Sequence, residues 1–94
     1  MALYALVCLD KPDALQVRLG AREAHLAYVR ERIATVKLAG PLLSDEGEMA
    51  GSLLILDVAD RAAAEAFNAA DPYTLAGLWQ AVTIKEFKAS IGQL

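Results

Sequence analysis

The first apolar run in this chain does not alternate. Residues 2–10, Ala-Leu-Tyr-Ala-Leu-Val-Cys-Leu-Asp, carry apolar side chains on odd and even positions alike. In an extended segment that puts apolar groups on both faces, the mark of a strand inside a sheet. Lys11-Pro12 ends the run, and Asp13 with Gln16 three residues later reads as a capping box opening a helix that continues to Ile33. At about 100° per residue, Leu15, Leu19, Leu26, Val29 and Ile33 cluster on one side and form the predicted core stripe. Arg22 falls on that stripe as well, flanked by Arg18, His25 and Arg32. A guanidinium in that position needs an acceptor. Either it holds a carboxylate or phenolate at the helix margin, or it extends to solvent or pairs with an internal acid such as Asp71.

Thr35–Leu43 reads as a second strand, stopped at Gly40-Pro41 and followed by the polar turn Ser44-Asp45-Glu46-Gly47-Glu48. Gly51–Val58 is a third strand, with Leu53-Leu54-Ile55-Leu56 again apolar on both faces. Asp60 caps a short helix over 61–70 that packs through Ala63, Ala66, Phe67 and Ala70. Asp71-Pro72 ends it, because the residue before proline avoids helical geometry. Tyr73–Gly77 is a turn or a single helical turn, and Trp79–Lys88 a fourth strand. The order is βαββαβ in one domain spanning 1–94, an α+β, ferredoxin-like fold with a four-stranded antiparallel sheet and two helices on one face. The opposite face has no cover. Since the first and third strands are apolar there too, that face is expected to bury itself against an identical sheet, in a homodimer or a larger assembly built on one.

Composition supports the same arrangement. The chain is 56% hydrophobic and 22% charged, which excludes disorder and leaves more apolar surface than a small monomer covers. No apolar run approaches the roughly 20 residues that span a bilayer. The start, Met1-Ala2-Leu3-Tyr4, has no basic leader or cleavage pattern, so a cytoplasmic location is expected. A net charge of −3 gives no general attraction to nucleic acid or to an anionic membrane, so neither is expected as a partner. The single cysteine, Cys8, allows no internal disulfide and reads as a buried structural thiol.

Candidate chemistry narrows to His25, the sole histidine, and Asp71. Histidine gives and takes protons near neutral pH, and an aspartate can fix its tautomer. Asp71 could equally serve only as a helix stop that satisfies local amides. One histidine among scattered carboxylates is not a zinc or iron ligand set, so no metal site is expected. No dinucleotide, haem or flavin motif is present, so no cofactor is implied. Ser44, Ser52 and Ser90 stand in no nucleophilic setting and read as loop or strand residues. Gly40-Pro41 reads as a bend whose backbone could line a pocket, Tyr73 could supply a hydroxyl or pack, and Trp79 and Phe87 read as core or interface aromatics.

Taken together, Arg22-x-x-His25-Leu26, Ala39-Gly40-Pro41-Leu42, Gly51, Asp71-Pro72-Tyr73 and Ala76-Gly77-Leu78 resemble the YciI-like proteins of the dimeric α/β-barrel group. The resemblance implies a ferredoxin-like subunit that dimerises through its sheets, with a site in the cleft between helix and sheet. It implies His25 and Asp71 as a catalytic pair, and it links the chain to proteins that remove hydrogen chloride from chlorinated hydroxyaromatic compounds. The expected function is acid–base chemistry of lyase or isomerase type on an anionic hydroxyaromatic or lactone-like molecule. Arg22, Gly40, Pro41 and Tyr73 are expected to bind the substrate. The alternative is a non-catalytic module that binds a metabolite or partner in the same cleft.

Overall fold

A computed structural model describes residues 2–94. Strand β1 (Ala2–Asp10) lies inside a four-stranded antiparallel sheet, between β3 (Met49–Val58) and β4 (Trp79–Phe87), and β2 (Val36–Leu43) closes the edge beside β3. Helices α1 (Leu15–Glu31) and α2 (Arg61–Ala70) and the one-turn α3 (Pro72–Leu75) complete the ferredoxin-like order. Strand periodicity sorts β1 into two faces. Tyr4, Leu6 and Cys8 are buried beneath the helices, opposite Leu56, Leu54 and Ser52 of β3. Leu3, Ala5, Val7 and Leu9 point the other way and are half-buried or exposed, in company with exposed Leu38 and Phe87.

Local signals explain most of the elements. The β2–β3 hairpin is closed by the Ser44 N–H donating to the Glu48 carbonyl at 2.8 Å, with Gly47 at a φ of 84° that side chains rarely adopt. Asp60 caps α2 by accepting from the Ala63 N–H at 2.9 Å, as its sequence position predicts. Gly51 sits where β3 passes close to β1: a Cβ there would lie 2.7 Å from the Cys8 carbonyl oxygen. Cys8 is fully buried, and loss of hydration pushes its thiol up to about 12, so it is the inert structural thiol expected.

Several sequence expectations are corrected. Asp13 does not cap α1: its φ of 57° is left-handed, and the N-cap is Ala14, which makes no side-chain cap bond. The helix stops at Glu31, and the leucine stripe is its half-buried edge, with Leu15, Leu26 and Val29 partly covered and Val29 against the core, not its most buried face. Leu19 and Ile33 are 46% and 68% exposed and Arg22 is exposed, whereas Arg18 and His25 are buried with Ala21 and Tyr28 half-buried beside them. The core-facing side is therefore turned by about 90° from the predicted one. Each buried polar group on it has a partner, which is what lets that face go inward. In α2, Ala64 and Phe67 are buried while Ala66 and Ala70 are exposed, and the Tyr28 hydroxyl donates to the Phe67 carbonyl at 2.7 Å, fastening α1 to α2. β2 ends at Leu43, where the range read from the sequence puts it, but it passes through Gly40-Pro41 without stopping there. It is an edge strand, where a proline's missing N–H is tolerated.

Candidate active site

Asp71 ends α2 and begins α3. Pro72 occupies the first turn of α3, where a missing N–H costs nothing. The Tyr73 N–H donates to Asp71 Oδ1 at 2.9 Å, and His25 Nδ1 lies 2.8 Å from the same oxygen. Both reading choices for Asp71 therefore hold at once: it is a local cap and the partner of His25. Because the carboxylate can only accept, Nδ1 carries the proton and Nε2 of the neutral ring is left as an acceptor. Among the described residues no buried side-chain nitrogen or oxygen lacks a hydrogen-bond partner, and Nε2 has no partner there, so it is not a buried atom and faces open space.

The imidazole is also held by its face. It stacks on the Tyr73 ring at 4.0 Å between centroids and 16° between planes. The Tyr73 ring meets Trp79 edge-on at 5.6 Å, and the Trp79 indole N–H donates to Thr74 Oγ1 at 2.9 Å. Burial raises the Tyr73 pKa against the pull of the Arg18 and Arg22 charges, so the phenol keeps its proton at neutral pH.

Arg18 forms the floor. Its Nε and Nη2 donate to the two oxygens of Asp10, each at 2.8 Å, and Nη2 also donates to Ser52 Oγ at 3.0 Å. Its Cζ lies 4.7 Å from the Tyr73 ring centroid. Burial alone would lower the Arg18 pKa, but the hydrogen bonds and charge of Asp10 outweigh it and the guanidinium stays charged. The buried cation is thus Arg18, one turn before the Arg22 that the sequence places on the core stripe. Arg22 makes no ion pair with Asp71; it is exposed at the mouth of the site.

A pocket of about 230 Å³ opens between α1 and the β2–β3 side of the sheet. His25, Arg22, Gly40, Pro41 and Tyr73 all line it, and Asp71 stands behind His25. Sequence reasoning missed Arg30, Ser52 and Met49, which line it too. Arg30 lies two turns after Arg22 on the same helix face, a spacing that was legible. Ser52 showed only as a polar residue in a mostly apolar strand, which Asp57 is as well, and Met49 gave no signal. Three arginines and no acidic residue line the pocket, in a chain whose net charge is −3. Leu26, Val29 and Leu54 supply apolar walls. Such a lining suits a flat apolar ring carrying anionic oxygens. Among the described residues no three histidine, cysteine or acidic side chains gather as metal ligands, and no helix is long and apolar enough to cross a membrane.

Comparison with known proteins agrees with the geometry. The model of the YCII-related domain matches residues 2–88. Protein YciI of Escherichia coli O6:H1 is 37% identical over 97 residues, covering 92% of this chain and 96% of that protein. A Haemophilus influenzae protein is 36% identical over 93 residues, covering 90% and 95%. Among solved structures, 5-chloro-2-hydroxyhydroquinone dehydrochlorinase from Burkholderia phenoliruptrix, in complex with 2,5-dihydroxybenzoquinone, superposes with a TM-score of 0.85 at 34% identity, covering 92% of this chain and 93% of that one.

Proposed function

The chain belongs to the YCII-related domain family, and on that footing we propose that it is a small acid–base enzyme of lyase type that removes hydrogen chloride from an anionic chlorinated hydroxyaromatic compound. The observation that carries the reading is the His25–Asp71 contact of 2.8 Å beside a pocket lined by arginines and by no acid. The dehydrochlorinase at 34% identity supports the reaction class.

The chemistry asks little beyond proton transfer. His25 Nε2 takes the proton of a ring hydroxyl and returns it to the chlorine-bearing carbon, which becomes tetrahedral beside a new carbonyl. A second ring hydroxyl, conjugated with that carbon, then loses its proton; its electron pair closes to a carbonyl, the double bond shifts and chloride departs. The net loss is one proton and one chloride. Arg22 at the mouth holds an anionic ring oxygen by charge-assisted hydrogen bonds. Asp71 stabilises the imidazolium while it carries the proton.

Chloride release from 5-chloro-2-hydroxyhydroquinone tests the reading. We expect turnover by the wild type and a loss of about 10²–10⁴-fold in His25→Ala, with affinity for 2,5-dihydroxybenzoquinone changed only a few-fold. A protein that binds the quinone but turns over no member of a chlorinated hydroxyhydroquinone panel is a binding module, and the enzyme reading falls.

We further propose that the open sheet face pairs with a second copy. Leu9, Leu38 and Phe87 are 47%, 50% and 41% exposed there, a patch that a small chain does not leave in water. Sedimentation at micromolar concentration should return twice the chain mass. A stable monomer contradicts the pairing.

A further inference from the structure

Ser52 is a buried strand residue that the proposed reaction does not use, and its hydrogen bonding is lopsided. It is 3% exposed, its Oγ accepts from Arg18 Nη2 at 3.0 Å, and it lines the pocket. Its own hydroxyl proton meets no acceptor among the described residues. A buried hydroxyl keeps a donor unspent only where something else is to receive it. The pocket is the space left to it.

We propose that Ser52 is a specificity-determining residue, whose hydroxyl donates to an oxyanion of the ring compound while Arg18 holds its lone pair. The proposal rests on the reading that the pocket takes an anionic ring. Three features support it. Arg18 is neutralised by the two-point pair with Asp10, so the guanidinium reaches the ligand through Ser52 rather than as a bare charge. A hydroxyl that accepts from a cation is a stronger donor, since bonds in a chain polarise one another. The same bond draws density from Oγ, and among the described residues no histidine or carboxylate hydrogen-bonds to it as a base would, so Ser52 is a donor and not a nucleophile. Its orientation is fixed from both sides. Asp10 fixes the guanidinium, and Gly51 lets β3 approach the Cys8 carbonyl so closely that the neighbouring Ser52 sits deep in the sheet.

The test compares two probes: 2,5-dihydroxybenzoquinone, which is anionic at neutral pH, and its dimethyl ether 2,5-dimethoxybenzoquinone, which keeps the ring but carries no oxyanion. Wild type is expected to prefer the first. Ser52→Ala is expected to lose about ten- to a hundredfold of that preference, the worth of one hydrogen bond to a charged group. Ser52→Thr, which retains a hydroxyl, is expected to keep most of it. The near-isosteric Ser52→Cys preserves packing but is a weak donor, so it is expected to follow alanine and gives the answer should the alanine variant not fold. A purely structural serine would move the unfolding midpoint and leave the ratio of the two affinities unchanged. A folded alanine or cysteine variant with the wild-type preference overturns the role of Ser52 alone. Failure of the wild type to bind the hydroxyquinone overturns the reading of the pocket and takes this one with it.

Discussion

Asp10→Ala is expected to remove about 3–5 kcal/mol of folding stability, because it strands a buried guanidinium without its counter-charge. Arg18 and Asp10 are 2% and 6% exposed at their side chains, and both carboxylate oxygens are engaged. Ser52 is the other hydrogen-bond partner of Arg18, and a hydroxyl dipole cannot replace a carboxylate. A chain of this size has a total stability of about 5–15 kcal/mol, so the single variant sits near the edge of folding. Adding Arg18→Met to Asp10→Ala is expected to recover most of the loss, since an apolar side chain of similar length removes the need for a partner. Urea midpoints of the two variants and wild type decide the matter. If Asp10→Ala costs under about 1 kcal/mol, water reaches Arg18 and the pair is not the electrostatic unit its burial describes.

That ion pair is also where the sequence was hardest to read. Strand and helix order were legible because the apolar runs, Asp60 and Asp71-Pro72 mark their own boundaries. The buried face of α1 was not, because amphipathicity assigns charged residues outward and leucines inward. Arg18 and His25 invert that rule: Arg18 takes Asp10, eight positions back at the end of β1, and His25 takes Asp71, 46 positions on at the start of α3. No local pattern announces such pairings, since the partners meet only once α3 packs on α1 and β1 lies beneath it. Pro41 misled for a similar reason. Proline stops an interior strand, and only the sheet order makes β2 an edge. In the site, His25, Arg22, Gly40, Pro41 and Tyr73 line one pocket, while the polarity of Ser52 pointed to no role because its hydrogen-bond partner is Arg18.

Asp71→Asn is expected to separate the structural from the electrostatic part played by this residue. Asparagine is as good a helix N-cap as aspartate, and its carbonyl can still accept from the Tyr73 N–H and the His25 Nδ1–H. The fold and the ring orientation should therefore survive, with the unfolding midpoint near that of the wild type. What disappears is the negative charge facing the imidazole when Nε2 carries a proton taken from a ring hydroxyl. Because the His25 and Asp71 side chains are buried, that charge lowers the energy of the imidazolium, and with it the barrier, so turnover should fall by about 10²–10⁴-fold. Asp71→Ala should lose the same turnover and in addition about 1–3 kcal/mol of stability, because it deletes the cap and leaves the buried Nδ1–H of His25 without an acceptor. Chloride release and urea unfolding, measured on both variants, read the two effects independently. Wild-type turnover in Asp71→Asn would mean that Asp71 serves only to orient the ring. A large drop in turnover at an unchanged midpoint, with nitrogen NMR showing the proton still on Nδ1, assigns the loss to the missing charge.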